Sequence, residues 1–279
     1  METLEQNWQW LQLNVGLMRY QNQARFSARK LFAEIDLLTQ QWREDGLLQC
    51  FFFMRKPPDV RLRFFTNQRQ MVIQQLTDLM DELVRQNTIR LSFFSEYEPE
   101  GDRFGGLASL ARVHDYFDID TAQWLRLDRR KQPSDPAIGD AALLSAILHD
   151  LFQSTLSDPD RVLNAWQTLG QLFGTAQPSM QSLVLPLVPL QVLQKSVGLD
   201  TALGQILDCY LSANAELSQQ LKELYNTGQI HCDLPDLLAN VGQFTLHRHG
   251  FDWQRAGPLI EGVVEALQSG RSPALDTQL

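Results

Sequence analysis

The sequence predicts an α+β fold, in which a mainly antiparallel sheet in the N-terminal half packs with helices and the C-terminal half is helical. Up to about residue 94, short apolar or alternating segments of the strand type are separated by two longer segments whose apolar residues recur every three to four positions. After Gly106 the pattern becomes almost wholly helical. This succession is typical of helices layered on a sheet, and we expect one domain over residues 1–279 with a flexible polar tail at 269–279.

Four segments of the N-terminal half have the patterns of strands. The first, third and fourth lie at residues 8–16, 60–65 and 89–96, and the second begins at residue 47. The first alternates only loosely, and we expect it at an edge of the sheet. The second contains the apolar run 51–53, which predicts a buried central strand. Pro57 and Pro58 separate the second strand from the third, because proline cannot donate to a sheet ladder.

Helical periodicity covers most of the remaining chain. In the N-terminal half it predicts helices over residues 23–44 and 67–86. In the C-terminal half it predicts helices over residues 107–117, 141–155, 159–173, 203–226, 235–246 and 255–267, with a further apolar segment at 183–197. The charged, proline-containing stretch 128–139 is predicted to be a surface loop.

Composition excludes several classes of protein. The 279 residues are 44% hydrophobic and 20% charged, which is ordinary for a soluble protein. A net charge of −9 argues against general nucleic-acid binding. The three cysteines lack metal-ligand spacing and suit a reducing cytoplasm. We find no signal peptide, no apolar stretch long enough to span a membrane, and no cofactor motif, and we expect a soluble cytoplasmic protein, with a homodimer as a common state at this size.

Positive charge is concentrated on the third predicted strand despite the acidic background. Side chains alternate across a strand, so Arg61 and Arg63 point to one face with their Cα atoms roughly 6.6 Å apart. Two such guanidinium groups make a fork for a carboxylate or phosphate, and Arg55 adds charge nearby. The alternative is that both are ordinary solvated arginines on an edge strand.

A second polar signal follows the fourth predicted strand, in the loop 97–106, which reads YEPEGDRFGG. Its glycines, Gly105 and Gly106, allow backbone amides to approach a ligand at the start of a helix. Arg103 would add a cation at the same place. The alternative is that Arg103 only fixes the loop through an ion pair with Glu98 or Glu100.

Together, the RLRF strand and the Y-x-P-E-x-x-R-[FY]-G-G loop resemble the C-terminal, elimination-type domain of lantibiotic dehydratases, which also occurs free-standing in thiopeptide-type bacteriocin biosynthesis. The resemblance implies removal of an α-proton and expulsion of glutamate from a glutamyl ester on Ser or Thr of a precursor peptide. A separate glutamylating dehydratase subunit would form that ester. The family's motif arginines correspond to Arg61, Arg63 and Arg103, and arginine suits both carboxylate binding and charge stabilisation.

The general base departs from the family pattern, which has a histidine a few residues before an Asn-Arg pair. Here the segment reads QFTLHRHG, which places Gln243 at the histidine position and Arg248 at the arginine. Glutamine cannot act as a base. His247 lies four residues later, on the same face of a helix, and could replace it. The resemblance thus implies the catalytic set Arg61, Arg63, Arg103 and His247, and the substrate-binding set Arg55, Glu100, Gly105, Gly106, Gln243 and Arg248.

Weaker candidates exist, and three functions remain open. His249 and the loop glutamates are alternative bases, whereas the neighbours His231 and Cys232 lack an evident third orienting group. The leading function is glutamate elimination. The second is the formal [4+2] cycloaddition of free-standing pyridine synthases in the same family. The third is a non-catalytic subunit that binds the precursor peptide.

Overall fold

The computed structural model describes residues 8–19, 24–130, 139–174 and 187–269. The chain divides into two compact units, Met1–Pro99 and Glu100–Leu279. The first unit contains the sheet and the second is helical, which confirms the predicted α+β class. The extent of the family domain over residues 1–279 stays a prediction.

The first unit is a four-stranded antiparallel sheet with two helices. Its elements are β1 (Gln9–Leu17), α1 (Ala24–Glu44), β2 (Leu48–Met54), β3 (Val60–Thr66), α2 (Arg69–Arg85) and β4 (Ile89–Ser95). The strand order is β2-β3-β1-β4, and every neighbouring pair is antiparallel. Strands β1 and β2 therefore run in the same direction with β3 between them, as in a split βαβ arrangement.

One face of this sheet is apolar and packs against the helices. Register alternation places fully buried residues of β1, β2 and β3 on this face, including Leu11, Leu13, Phe51, Phe53, Leu62 and Phe64. The ring of Phe32 in α1 lies 4.4 Å from that of Phe53, and Trp42 meets Phe64 edge-on at 5.8 Å. The apolar stripe of α2 is buried as well. Burial of these apolar side chains stabilises the unit.

The positions of the first two strands differ from the prediction. Strand β1 was expected at an edge, but it lies between β3 and β4, whereas β2 was expected in the centre and lies at an edge. In the sequence, Gln12 and Asn14 alternate with apolar residues, a pattern that predicts one solvent-exposed face for β1. Both are buried, because hydrogen bonds among side chains satisfy their amide groups.

The second unit begins with a 3-10 turn, Gly101–Phe104, and continues as helices. These are α3 (Leu107–Arg130), α4 (Asp140–Leu156), α5 (Pro159–Leu172), α6 (Leu190–Val197), α7 (Ala202–Asn226), α8 (Leu234–Arg248) and α9 (Trp253–Gln268). Helix α7 packs against α3, α4 and α6, while α5 packs against α8 and α9. Most predicted helices are confirmed to within two residues at each end.

Helix α3 is longer than predicted, because it extends from Leu107 to Arg130 and not only to residue 117. The polar residues that ended the predicted apolar pattern, Asp120, Thr121 and Gln123, are buried and belong to the inward face of the helix. The predicted loop 128–139 therefore begins inside this helix, and residues 131–138 lie outside the described residues. The same holds for residues 183–186 of the predicted apolar segment and for residues 270–279 of the predicted tail.

Over the described part of the chain, no helix combines the length and the hydrophobicity that a bilayer crossing requires.

Candidate functional site

Arg63 lies on the second face of the sheet, opposite the packed helices, and it is held between aromatic rings. Its guanidinium carbon is 4.2 Å from the centroid of the Tyr97 ring and 5.3 Å from that of Phe52. Both distances are within the range of a cation–π interaction. Trp10 packs edge-on against both of these rings. The arginine is only 3% exposed, so its orientation is set by these neighbours.

A chain of polar side chains continues from Arg63 across the sheet. The Arg63 Nε donates to Gln12 Oε1 at 2.9 Å, and Gln12 Nε2 donates to Ser95 Oγ at 2.9 Å. Asn14 Nδ2 also donates to Ser95 Oγ, at 2.8 Å. These contacts join β3, β1 and β4 through side chains that β-strand periodicity places on one face.

Arg61 shares that face of β3 but is less enclosed. Its Nε donates to the carbonyl oxygen of Pro57 at 3.0 Å, within the turn between β2 and β3. Arg55, at the end of β2, places its guanidinium carbon 5.9 Å from the Phe53 ring. The register therefore agrees with the prediction that Arg61 and Arg63 point to one side of the sheet.

Arg103, in the second unit, occupies the centre of a hydrogen-bonded network. Its Nε and one Nη donate to Asn240 Oδ1 at 3.1 and 2.7 Å, and the same Nη donates to Gln243 Oε1 at 2.7 Å. The other Nη is ion-paired with Glu100 at 2.8 Å. Asn240 Nδ2 donates back to the Arg103 carbonyl oxygen at 3.1 Å. The loop is thus fixed to α8, and the predicted alternative of an ion pair with Glu100 is present.

The arginine at the centre of this network remains accessible, since about a third of the Arg103 side chain is exposed (35%). The structure therefore combines a fixed guanidinium orientation with contact to solvent. Arg103 belongs to the second unit and Arg61 and Arg63 to the first, and a site shared by the three arginines stays a prediction.

Close packing requires the first glycine of the loop, Gly105, whereas Gly106 has a φ of +130° that favours glycine. Gly105 has φ of +76°, and a Cβ there would lie 2.6 Å from Ile230 Cγ2 and 2.9 Å from Cys232 Sγ. The backbone N–H of His231 donates to the Gly105 carbonyl oxygen at 2.9 Å. The His231 ring lies beside Gly106, with Cδ2 3.6 Å from the position of a Cβ on that glycine. The loop before α8 therefore places an exposed imidazole against the motif loop.

Gln243 and His247 lie one turn apart on α8 and both face the end of α5. Gln243 uses both ends of its amide, because Oε1 accepts from Arg103 and Nε2 donates to the Leu172 carbonyl oxygen at 3.0 Å. The half-buried His247 ring meets Phe173 edge-on at 5.0 Å. The structure thus confirms that the two side chains share a side of the helix.

Arg248 is buried and forms an ion pair, so the burial of its charge is explained without a bound ligand. It forms an ion pair with Asp120 and is fully buried, with its guanidinium carbon 4.5 Å from the Phe117 ring. His249 Nε2 also donates to Asp120, at 3.0 Å. Burial raises the pKa of Asp120, but the charges of His249 and Arg248 outweigh burial and lower that pKa to about 2. A substrate-binding role for Arg248 stays a prediction.

Sequence reasoning missed four residues that hold the candidate side chains in place, namely Gln12, Tyr97, Asp120 and Asn240. Helical spacing could have revealed Asn240, because it lies three residues before Gln243 and so shares its side of the helix. Register could have revealed Gln12, because it pairs with Arg63 once β1 and β3 are neighbours. Asp120 had no comparable signal. Among the residues that the structure describes, no cluster of three or more His, Cys, Asp or Glu side chains suits a metal ion.

Comparisons with known proteins agree with this architecture. The family model described as lantibiotic biosynthesis dehydratase C-term matches residues 10–252. The crystal structure of the tRNA-dependent lantibiotic dehydratase MibB from Microbispora sp. 107891 is similar with a TM-score of 0.65 and 17% identity, over 94% of this chain and 28% of the MibB chain. The crystal structure of TsrL is similar with a TM-score of 0.53 and 12% identity, over 96% of both chains.

At these identities the two crystal structures support the fold alone, and this chain spans little more than a quarter of MibB, at 28%. A search of curated proteins gave no match. The family model, in contrast, covers most of the chain and includes both sequence motifs. The chain therefore belongs to the lantibiotic biosynthesis dehydratase C-terminal family.

Proposed function

We propose that this protein, a tailoring protein of ribosomally made peptide biosynthesis by its family, eliminates glutamate from glutamylated Ser or Thr in a precursor peptide. A base removes the α-proton, the electron pair forms the Cα=Cβ bond, and the Cβ–O bond to the glutamyl ester breaks. Glutamate leaves and a dehydroamino acid remains. The observation that carries this proposal is the fixed, partly exposed guanidinium of Arg103 in the family's motif loop.

The chemistry explains why a held arginine is useful. The leaving group is a carboxylate, and a guanidinium stays charged at every working pH and donates charge-assisted hydrogen bonds to carboxylates. Asn240 and Glu100 restrict rotation of Arg103 before substrate arrives. Preorganised donors avoid the cost of reorganisation during the reaction. Arg61 and Arg63 would contribute further positive charge, as the motifs imply.

The base is His247 in this proposal. Gln243 occupies the family's histidine position, and both ends of its amide are engaged by Arg103 and Leu172. His247 is one turn farther along the same side of α8 and is half-buried. His231 is the second candidate, because its ring lies beside Gly106 in the motif loop. Imidazole is the side chain most often used as a general base.

The precursor peptide is the expected partner, together with a separate subunit that glutamylates it. The second expectation rests on the family resemblance, which implies that other domains form the glutamyl ester. The predicted cytoplasmic location agrees with an intracellular peptide substrate. A homodimer stays a prediction.

The test is incubation of the protein with a glutamylated peptide, followed by mass spectrometry. We expect loss of one glutamic acid for each modified residue. Arg103→Lys should lower the rate about 100-fold, since lysine keeps the charge but cannot form the planar fork. Arg112→Lys is the matched control, because Arg112 forms an exposed ion pair with Asp115 three residues away and lies outside the motifs.

His247→Ala and His231→Ala separate the two candidate bases in the same assay. We expect His247→Ala to lower the rate by 10²–10⁴-fold, roughly the contribution of general base catalysis, and His231→Ala to matter less. A large loss in His231→Ala alone would transfer the role of base to that residue. Full release of glutamate by both histidine variants and by Arg103→Lys would contradict the mechanism.

A second candidate function is favoured by the glutamine at position 243. If no histidine acts as a base, the protein is either a cycloaddition enzyme of the same family or a non-catalytic peptide-binding subunit. A dehydrated peptide that is split into a leader and a macrocycle would indicate cycloaddition. Tight binding of peptide without any change in mass would indicate the binding subunit.

A further inference from the structure

We propose that Arg90, near the start of β4, joins Arg61 in binding a carboxylate of the peptide substrate. The identity of that substrate is taken from the proposed function, on which this inference therefore rests. Arg90 lies outside both sequence motifs. Two features of the fold point to it, namely the face of the sheet on which its guanidinium lies and the hydrogen-bond donors that its described neighbours leave unused.

A β-bulge directs Arg90 to the face of the sheet that carries Arg61. The register of β1 against β4 shifts by one residue after Gly16, which makes Arg90 an extra residue in β4. Strict alternation would send the Arg90 side chain to the helix-packed face, because its neighbour Leu91 points to the other face. β-bulges interrupt this alternation and re-aim side chains, and they are over-represented beside active sites.

The absence of a side chain at Gly16 makes room for the guanidinium on this face. A Cβ at Gly16 would lie 3.1 Å from Arg90 Cζ and 3.1 Å from Arg90 Nε, so the guanidinium lies directly against the β1 backbone. Gly16 is two residues from Asn14, which pairs with Arg61 in β3. Residues two apart on a strand share a face, so Arg90 and Arg61 lie on the same side of the sheet, on the two strands that flank β1.

The guanidinium of Arg90 is oriented without the use of its hydrogen-bond donors. Its described ion pair joins Nη2 to Asp59 Oδ2 at 3.8 Å, which exceeds hydrogen-bonding distance. The Asp59 carboxylate is itself shared, because it accepts from the Leu17 N–H at 2.8 Å and pairs with Arg19. Within the described part of the chain, the Arg90 guanidinium donates no hydrogen bond, and the side chain is 45% exposed.

Arg61 also leaves donors for a ligand. Its Nε donates to the Pro57 carbonyl oxygen at 3.0 Å, whereas its two Nη groups donate to none of the residues that the structure describes. The described ion pairs of Arg19, Arg61 and Arg90 include a single carboxylate, that of Asp59, so the positive charges outnumber the negative ones. Accessible guanidinium donors with an excess of positive charge attract a carboxylate.

The experiment measures the binding of fluorescently labelled peptides in two matched pairs. In the first pair, 2,3-diaminopropionate replaces one Ser and carries either a glutamyl or a glutaminyl group through an amide, which prevents elimination during the measurement. In the second pair, an unmodified peptide carries either Glu or Gln beside that Ser. We expect wild-type protein to prefer the carboxylate member of at least one pair.

Arg90→Gln should bind the preferred carboxylate peptide about 10-fold more weakly, because one charge-assisted contact is lost, and should bind its amide twin as wild type does. A preference lost in the first pair identifies the glutamyl group as the source of the carboxylate. A preference lost in the second pair identifies an acidic side chain of the peptide itself. Either result supports the assignment of Arg90.

Two further variants show whether the position of the charge matters. Arg85→Gln is the matched control, since it removes another exposed arginine of the same unit, one that pairs with Glu82 on α2. Gly16→Ala keeps every charge but places a methyl group where the Arg90 guanidinium lies, so we expect it to weaken binding of the carboxylate peptide as Arg90→Gln does. Urea unfolding of each variant separates weaker binding from loss of the fold.

The assignment is overturned if Arg90→Gln and Gly16→Ala both bind the carboxylate peptides as wild type does, or if Arg85→Gln loses as much affinity as Arg90→Gln. It is also overturned if wild-type protein shows no carboxylate preference in either pair. The proposed function fails in a different measurement, the release of glutamate from a glutamylated peptide. A carboxylate preference that Arg90→Gln abolishes supports the assignment even if no glutamate is released, and release with an unchanged preference in Arg90→Gln overturns the assignment alone.

Discussion

His149 should make the protein less stable in mild acid. It lies in α4, and its Nδ1 is buried without a hydrogen bond to any described residue. Burial lowers the pKa of this imidazole from 6.5 to about 4, because the charged form loses hydration. Between pH 4 and pH 6.5, the unfolded chain therefore binds a proton at His149 that the folded chain does not bind. The stabilising contribution is complete above pH 6.5 and is lost as the pH falls toward 4.

The magnitude follows from the difference between the two pKa values. Their separation corresponds to a total of about 3 kcal/mol in the free energy of unfolding, of which about 2 kcal/mol should be lost by about pH 5. We would measure urea unfolding of the wild-type protein and of His149→Leu across this range. Leucine cannot be protonated, so the stability advantage of the variant should grow as the pH falls.

The control is His231→Leu, because His231 is exposed and its ring is not enclosed. This control measures what replacing an exposed imidazole with leucine does to the free energy of unfolding over the same pH range. Parallel stability curves for wild type and His149→Leu would refute the reasoning, since they would show that the imidazole is protonated equally in the folded and unfolded chains.

Three further predictions concern stability and can be checked by urea unfolding at neutral pH. Asp158→Ala should lower the free energy of unfolding by about 1 kcal/mol, because the carboxylate caps α5 by accepting from a backbone N–H at 3.0 Å. Asp233→Ala should lower it by less, because that carboxylate makes no such bond to the described start of α8. Gly105→Ala should lower the free energy of unfolding by about 1–3 kcal/mol, because the residue has a positive φ and close neighbours. The control Gly228→Ala should lower it by only about 1 kcal/mol, because Gly228 has a φ of +71° but no described atom lies near the new Cβ. Arg248→Leu should lower the free energy of unfolding by about 3–5 kcal/mol, because it removes the guanidinium that pairs with the buried Asp120 carboxylate and leaves only His249 beside it; an unchanged unfolding midpoint would contradict this prediction.

The periodicity of the chain predicted most helices and all four strands, but it did not predict the order of the strands. The apolar run 51–53 is typical of a central strand, yet β2 lies at an edge, and its second face is nevertheless buried. Gln12 and Asn14 are typical of solvent exposure, yet they are buried at the centre. Pairing between distant strands decides such positions, and local patterns carry no information about it.

The candidate site was predicted in its parts and not in its connections. Spacing indicated that Arg61 and Arg63 share a face and that Gln243 and His247 share a side of a helix. The contact between Arg103 and Gln243 joins residues 140 positions apart, which no local spacing reveals. The resemblance to the family placed both residues in one functional group but did not state that they touch.

The amide of Gln243 has a consequence for how this protein relates to base-bearing members of its family. It accepts a hydrogen bond from Arg103 at one end and donates one to the Leu172 carbonyl at the other. A neutral imidazole also offers one acceptor and one donor nitrogen. The surroundings of position 243 therefore have the polarity that an uncharged histidine needs, and the adjacent guanidinium would disfavour its protonation. We therefore expect that a single substitution, Gln243→His, would place an imidazole in surroundings that already satisfy both of its nitrogens.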